Sequence, residues 1–167
     1  DPFLMQDMTV AVNRIITAIE KNENVMVYGD YDVDGTTSVA LVYSYLKNKI
    51  ENLKPYIPDR YKEGYGISIS GINSAKQEGI SLIIALDCGI KANEQIAYAN
   101  DLGIDFVICD HHLPSKILPE AVAVLDPKRS DCTYPFKELC GCGIGFKLIQ
   151  ALQKCLELPE EDLFSYL

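Results

Sequence analysis

The sequence predicts an α/β fold, in which a mostly parallel sheet carries helices on both faces in a Rossmann-like arrangement. Five short segments are almost wholly apolar, so they lack the alternation of strands with one exposed face, and helical patterns lie between them. Strands that are apolar on both sides need cover on both sides, which helices supply. A chain of 167 residues is long enough to form one such domain around its own core.

The predicted elements begin with a helix over residues 7–21, where apolar side chains recur at helical spacing. A short buried strand follows at 24–29, and a second helix is predicted at 36–50. Thr36 is the residue that we expect to cap this helix at its N-terminus. A second strand is predicted at 53–58, where Pro58 ends it.

The second half of the chain supplies three more predicted strands, at 81–87, 105–110 and 121–126. A helix over 93–103, which Gly103 closes, lies between the first two of them. Three glycines at alternate positions, Gly141, Gly143 and Gly145, do not follow a strand in a phosphate-loop spacing. We therefore interpret them as a place where a helix packs closely against its neighbours.

Three aspartates, Asp30, Asp32 and Asp34, follow the first strand in the stretch "VMVYGDYDVDGTTSVA". A regular extended chain would point all three to one side, and a curved one would aim them at two ions. Like charges so close together repel each other, and the repulsion grows where water is excluded. The spacing therefore indicates a site for a positive group.

Acidic residues also end the other predicted strands, since Asp87, Asp110 and Asp126 follow the third, fourth and fifth. The only two histidines of the chain, His111 and His112, come directly after Asp110. Each feature has a plainer interpretation, an aspartate as a turn residue or helix cap and a histidine pair as a surface loop. Their joint occurrence at the carboxyl edge of a parallel sheet, where ligands bind, favours a functional site.

Carboxylate and imidazole ligands together suit Mn²⁺, Mg²⁺ or Fe²⁺ better than a metal that prefers thiolates. Asp87 is placed to bridge two ions, and two metals ~3.5–4 Å apart are a standard device for hydrolysing phosphate esters. The net charge of -9 argues against nucleic acid as a partner. Bound cations would invert the field at the site, however, so the charge does not exclude this partner.

The six cysteines show no disulfide-rich spacing, so we expect reduced thiols and a cytoplasmic location. Cys132, Cys140 and Cys142 suggest zinc as an alternative, but C-x-C is not the usual ligand spacing. No apolar run approaches the ~20 residues that span a membrane, so we expect no membrane partner.

Several motifs carry a family resemblance. "GDYDVDG", "DCG" and "DHH" resemble the first three motifs of the DHH phosphoesterases. Within that family, "DPFLMQDM", "YGDYDVDGTTS", "IPDRYKEGYG", "LDCG" and "CDHH" are most similar to the RecJ branch of single-stranded DNA exonucleases. "CGCGIGFKLIQAL" resembles the helix that comes next in that branch, so the likeness spans essentially the whole chain.

The resemblance implies a set of metal ligands. Asp30 and Asp32 would hold one ion, Asp34 and His111 would hold a second, and Asp87 would bridge the two. Manganese or magnesium is the implied metal. Many members have a histidine at the position of Tyr28, and the resemblance implies that Asp30 takes its place here.

The resemblance also implies roles for residues that hold no metal. His112 would touch the scissile phosphate or help the leaving group, and Asp110 would orient the histidines, as metal sites commonly require. In the segment 60–66, Arg60 would pair with a phosphate oxygen and Tyr65 would stack on a base. The plainer interpretation of that segment is a surface turn with a half-buried tyrosine.

The function implied by the resemblance is that of a metal-dependent 5′-to-3′ exonuclease acting on single-stranded DNA in repair or recombination, with other repair proteins as further candidate partners. One alternative is a DHH enzyme acting on oligoribonucleotides, cyclic dinucleotides or pyrophosphate. Another is a non-catalytic relative that binds DNA or a protein partner.

The family has a fourth motif, with another metal-binding aspartate, and a C-terminal substrate-binding domain. We expect residues 1–167 to be the N-terminal part of the DHH domain, without either, and to bind one ion more readily than two.

Overall fold

A five-stranded parallel sheet forms the centre of the computed structural model, which describes residues 1–166. The strands are β1 (Val25–Gly29), β2 (Leu53–Tyr56), β3 (Leu82–Leu86), β4 (Asp105–Cys109) and β5 (Ala123–Leu125). Their order across the sheet is β2-β1-β3-β4-β5, and every neighbouring pair is parallel. This arrangement confirms the predicted fold class.

Helices cover both faces of the sheet, and the side chains of β1 show how. Val25 and Val27 point into one core cluster with α1, α2 and α5, whereas Met26 and Tyr28 point into another with α3 and α4. The helices are α1 (Met8–Glu20), α2 (Val33–Leu46), α3 (Ile69–Gln77), α4 (Asn93–Asp101) and α5 (Gly141–Cys155). Short 3₁₀ helices lie at Pro2–Leu4 and Glu160–Tyr166.

The start of α2 differs from the prediction that Thr36 caps it. The cap is Asp32, whose extended backbone lets its carboxylate accept a hydrogen bond from the amide of Gly35 at 2.9 Å. Thr36 lies inside the helix instead, and its hydroxyl donates to the carbonyl of Asp32 at 2.7 Å. Asp34 is therefore in the first helical turn, so the three aspartates do not alternate along an extended chain.

Two further boundaries differ from the sequence prediction. The strand β2 ends at Tyr56 rather than at Pro58, and it tolerates Pro55 because it is an edge strand. The sequence analysis did not predict α3, which Ser68 caps by accepting from the amide of Gly71 at 2.8 Å. The helix has nine residues and buries only three of them, which leaves little helical periodicity to detect.

All six cysteines are free thiols, as predicted, and the cytoplasmic location inferred from them stays a prediction. The sulfur of Cys140 caps α5 by accepting from the amide of Gly143 at 3.3 Å. Over residues 1–166, the one cluster with metal-binding geometry contains no cysteine, which gives the zinc alternative no support. No helix in that range is both long and apolar enough to cross a membrane.

A buried arginine joins the N-terminal end of α1 to the far edge of the sheet. One terminal nitrogen of Arg129 donates to the carboxylate of Asp7 at 2.5 Å and to the carbonyl of Val124 at 2.6 Å. Its remaining N–H groups face Asp131 at 2.7 and 2.9 Å. The guanidinium therefore joins the start of α1 to the segment 124–131, which is distant from it in sequence.

We expect Arg129→Met to lower the free energy of unfolding by about 3 kcal/mol, because it leaves a carboxylate and a carbonyl without their donor. The control is Lys154→Met, which removes the looser and more exposed pairs with Asp1 and Glu160, at 3.9 and 3.7 Å. That change should cost less than about 1 kcal/mol. Urea denaturation of both variants measures the difference, and equal losses would contradict the assignment.

Candidate active site

Four buried aspartates follow the carboxyl ends of four strands. Asp30 follows β1, Asp87 follows β3, Asp110 follows β4 and Asp126 follows β5, and each is at most 2% exposed. Because all the strands are parallel, these ends lie along one edge of the sheet, where ligands of such folds bind. The structure thus confirms that the predicted carboxylates converge on one edge.

Asp87 lies at the centre of this edge, and one oxygen of its carboxylate lacks a hydrogen bond from the described residues. Its backbone is left-handed, with φ at 59°, and its buried Oδ1 atom makes no hydrogen bond among the described residues, although Nε2 of His111 lies 3.1 Å away. Burial and, to a lesser extent, the charges of Asp34 and Asp32 together raise the pKa of its carboxyl to about 7. A bound cation would supply the missing partner for this carboxylate.

The first turn of α5 packs directly on Asp87. A Cβ atom added at Gly141 would lie 2.6 Å from the Cβ of Asp87, so only glycine fits there without displacement. Gly145, one turn later, leaves room for Val42, 3.2 Å from the position of a Cβ. The prediction that these glycines serve close helix packing is therefore confirmed for Gly141 and Gly145, whereas Gly143 faces only Leu139 and Cys140.

Asp34 is held between two helices. It lies in the first turn of α2, and its two carboxylate oxygens accept from the amides of Gly141 and Cys142 at 2.7 and 2.8 Å. These amides belong to the N-terminus of α5, which favours negative charge. The oxygen that accepts from Gly141, Oδ2, also lies 3.6 Å from Nε2 of His111, so Asp34 reaches the centre of the site.

His111, which comes after β4, lies against Asp87, which follows β3. Nε2 of His111 lies 3.1 Å from Oδ1 of Asp87. Ligand atoms of Asp87, His111 and His112 all lie within 4.8 Å of one another, a geometry that could hold a metal ion. The structure therefore brings together Asp34, Asp87 and His111 as predicted, and it also places His112 within reach of the same centre.

Asp30 and Asp32 lie at the β1 end of the edge, and their ligand roles stay predictions. One oxygen of Asp30 accepts from the amide of Tyr31 at 2.8 Å, whereas the other is buried and has no hydrogen-bond partner among the described residues. Burial raises the pKa of Asp30, and the charge of Asp32 adds to that shift. Asp32 is exposed and also caps α2, so only part of its carboxylate is free for an ion.

Asp110 accepts four hydrogen bonds, and three of them come from the histidine pair. Its Oδ1 accepts from the amides of His111 and His112, at 2.7 and 3.1 Å, and from Nδ1 of His112 at 2.7 Å. Its Oδ2 accepts from the amide of Ile90 at 2.9 Å. Burial alone would raise the pKa of Asp110, but these donors outweigh it and lower the pKa. The geometry is the one that the predicted orienting role requires.

His112 presents its other ring nitrogen to the site. The hydrogen bond to Asp110 raises the pKa of His112, so the ring holds a proton more readily than a free imidazole. Its Nε2 lies 3.2 Å from the hydroxyl of Tyr65, whose ring is 60% exposed. Tyr65 is therefore in direct contact with the predicted catalytic histidine.

Arg60 reaches the same edge through Tyr31, a residue that the sequence analysis did not single out. The guanidinium of Arg60 lies 5.3 Å from the centre of the Tyr31 ring, which in turn meets Tyr65 edge-on at 6.3 Å. Tyr31 stands between Asp30 and Asp32, and this position in the sequence was the available signal. The predicted pair Arg60 and Tyr65 therefore forms one continuous surface with Tyr31 and His112.

A cavity of about 240 Å³ adjoins this surface. Its lining includes Tyr65, His112 and Asp110, together with Lys91, just before α4, and Gln95, in the first turn of α4. The sequence analysis missed the last two, because neither belongs to an acidic or histidine motif.

Tyr28 has a structural role that is separate from the carboxylates predicted to bind metal. It is fully buried, and its hydroxyl donates to the carbonyl of Gly66 at 2.9 Å and accepts from the amide of Ser68 at 3.2 Å. The residue thus anchors the segment that carries Tyr65.

Comparisons with known proteins agree with this geometry. The model of the DHH family, N-terminal domain, matches residues 24–166. The single-stranded-DNA-specific exonuclease RecJ of Bacillus subtilis (strain 168) is 47% identical over 163 residues, which are 98% of this chain and 20% of that protein. RecJ of Salmonella typhimurium is 38% identical over 147 residues, 87% of this chain and 26% of that protein.

A solved structure gives the same result at the level of the fold. The crystal structure of an exonuclease RecJ bound to manganese superposes with a TM-score of 0.83 at 28% identity, over 93% of this chain and 39% of that one. The chain thus spans only about a fifth to a quarter of the two curated relatives described here. With the family model matching most of its length, the chain belongs to the DHH family.

Proposed function

We propose that this chain is the catalytic core of a divalent-metal-dependent 5′-to-3′ exonuclease that acts on single-stranded DNA in repair or recombination. The observation that carries the proposal is the convergence of Asp34, Asp87 and His111 beside a histidine that Asp110 holds in place. Two similar proteins bear the name single-stranded-DNA-specific exonuclease, which supports the choice of substrate.

The donor set fits two hard divalent ions. Asp30, Asp32, Asp34, Asp87 and His111 would hold them, and a similar solved structure contains manganese. The unpartnered buried oxygens of Asp30 and Asp87 are where the protein leaves negative charge uncompensated. When bound, such ions polarise a phosphate and make a nucleophile available at neutral pH.

The chain's own residues would position the strand and manage the proton. His112 holds its Nδ1 proton against Asp110, which leaves Nε2 to contact a phosphate oxygen or give a proton to the leaving oxygen. Arg60 would pair with a neighbouring phosphate, and Tyr31 and Tyr65 would offer their rings to bases. The surface that runs from Arg60 to His112 suits a strand whose scissile phosphate lies at the metal-binding edge.

Residues 1–167 serve, in this proposal, as the N-terminal part of the catalytic unit. The chain covers 20% and 26% of two relatives, and at -9 it has little positive charge for neutralising phosphates. Further substrate-binding residues, and a further ligand for one ion, would lie outside this part.

The function can be tested by transplanting the chain. We expect a version of the Bacillus subtilis relative that carries these residues in place of its matching 163 to digest labelled single strands when Mn²⁺ is added. Asp87→Ala in this chimera should lower the rate by roughly a thousandfold or more, because the central ligand of the site is lost. Asp101→Ala, at an exposed helix end, is the control and should leave the rate unchanged.

Three outcomes would contradict the proposal. One is a chimera that folds, judged by thermal unfolding, but digests no strand. Another is near-normal hydrolysis by Asp87→Ala after treatment with a chelator. In a length series, a preference for dinucleotides, cyclic dinucleotides or pyrophosphate over long strands would favour the alternative substrates.

The two histidines should separate metal binding from chemistry. We expect His112→Ala to lower the single-turnover rate about a hundredfold or more while Mn²⁺ affinity changes far less. His111→Ala should lower both, because His111 lies 3.1 Å from Asp87 at the centre of the site. Calorimetric titration beside single-turnover kinetics measures the two effects, and equal loss of metal in both variants would refute the division.

The packing of α5 should control the metal site. We expect Gly141→Ala to lower Mn²⁺ affinity at least about tenfold, because the new methyl group must displace Asp87. Gly143→Ala is the matched control two residues on, where the nearest atom is the end of the flexible Leu139 side chain at 3.3 Å. Calorimetry on both variants decides the matter, and similar affinities would show that the contact with Asp87 is unimportant.

A further inference from the structure

The loop of residues 59–68 carries both predicted substrate contacts, Arg60 and Tyr65, between β2 and α3. It has one short turn and no strand, and most of its side chains are exposed. Such loops usually owe their shape to a few specific hydrogen bonds. The residue that makes these bonds here is Glu63, which lies outside the metal-binding and histidine motifs.

The carboxylate of Glu63 accepts hydrogen bonds from three parts of the chain. Its Oε2 accepts from the hydroxyl of Tyr56 at 2.8 Å, at the end of β2, and from the hydroxyl of Ser68 at 2.5 Å, at the cap of α3. Its Oε1 accepts from the amide of Asp59 at 2.8 Å, where the loop begins. One side chain therefore joins both ends of the loop to the sheet and to the next helix.

The turn inside the loop is closed from both sides. The side chain of Asp59 accepts from the amides of Tyr61 and Lys62, at 2.9 and 3.2 Å, while Glu63 accepts from the amide of Asp59. This reciprocal pattern resembles a capping box at the start of a helix. It fixes Arg60 within a single turn whose position depends on Glu63.

Tyr65 is presented by the backbone that follows Glu63. Gly64 and Gly66 flank it with φ values of 83° and 77°, a conformation that other residues adopt only with strain. The hydroxyl of the buried Tyr28 then donates to the carbonyl of Gly66 and accepts from the amide of Ser68. The phenol of Tyr65 thereby reaches His112 at 3.2 Å.

We propose that Glu63 is the positioning residue of this loop, which holds Arg60 and Tyr65 towards His112 and thereby sets the affinity for a single strand. The proposal rests on the proposed function, because it takes Arg60 and Tyr65 as substrate contacts. The carboxylate accepts from all three groups, whereas glutamine has one acceptor oxygen for the Asp59 amide and an NH₂ group in the place of Oε2, so the hydroxyls of Tyr56 and Ser68 would both have to turn and accept. Glu63 serves neither the metal ions nor the reacting atoms.

The test uses the chimera that carries this chain within the Bacillus subtilis relative, here called the wild type, with Mn²⁺ and the variants Glu63→Gln, Tyr56→Phe, Ser68→Ala and Ser68→Thr. Glu78→Gln is the control, because that carboxylate pairs with Lys54 at the other end of α3. One readout is the rate of trypsin cleavage after Arg60 and Lys62. The others are hydrolysis of a labelled single strand and of bis(p-nitrophenyl) phosphate, a phosphodiester too small to extend from His112 to Arg60.

We expect Glu63→Gln to raise trypsin cleavage and the KM for the strand roughly tenfold each, while kcat and the hydrolysis of the small diester stay unchanged. Tyr56→Phe, which removes one donor only, should show a smaller effect in the same direction. Ser68→Thr keeps the hydroxyl and should behave like the wild type, whereas Ser68→Ala should resemble Glu63→Gln. Glu78→Gln should change nothing.

Unchanged cleavage and KM in Glu63→Gln would overturn the proposal. Equal loss on the strand and on the small diester would also overturn it, because the positioning of Arg60 cannot affect a substrate that does not reach Arg60. Failure of the proposed function gives a different result. The wild type would then hydrolyse neither substrate with Mn²⁺, while trypsin cleavage still reports whether Glu63 holds the loop.

Discussion

The repulsion between buried carboxylates at the carboxyl edge of the sheet is the constraint on which the site depends. Two unit charges 4 Å apart interact by about 4 kcal/mol at an effective dielectric constant of 20, so the edge needs compensation. The protein supplies it unevenly. Asp110 accepts four hydrogen bonds and Asp34 accepts two from α5, whereas one oxygen each of Asp30 and Asp87 has no hydrogen-bond partner among the described residues. Asp126, which is not a proposed ligand, also has one such oxygen, and the oxygens of Asp30 and Asp87 are the two that the proposed ions would compensate.

The support for this edge comes from α5, a helix distant in sequence from the acidic motifs. Its first amides hold Asp34, and Gly141 lets its backbone approach Asp87. Further along, Gln153 accepts from the buried hydroxyl of Tyr45 at 2.8 Å, which fixes α5 against α2. Any change in the packing of these two helices is therefore transmitted to two carboxylates of the site.

The sequence predicted the parts of the fold that follow from local pattern. Apolar strands and the acidic residues after them were visible, because a parallel sheet needs the former and its ligand edge favours the latter. The cap of α2 was wrong, because Asp32 and Thr36 are both good capping residues and only the backbone path distinguishes them. Tyr31, Glu63 and the contact of Gly141 with Asp87 escaped prediction, because each depends on segments that only the folded chain brings together.

Tyr28 shows how the loop and the proposed metal centre constrain each other. Burial raises the pKa of its phenol, so the hydroxyl stays protonated and donates to the loop at Gly66. A neutral phenol committed to that bond is a poor ligand for a hard cation, which prefers charged oxygen. In the proposed function, metal binding at the end of β1 therefore depends on Asp30 rather than on Tyr28. Asp30 directly follows β1, and one of its carboxylate oxygens is buried without a hydrogen-bond partner among the described residues. A histidine at position 28 could bind metal but would lack the hydroxyl that both accepts from Ser68 and donates to Gly66, so the loop would need another anchor.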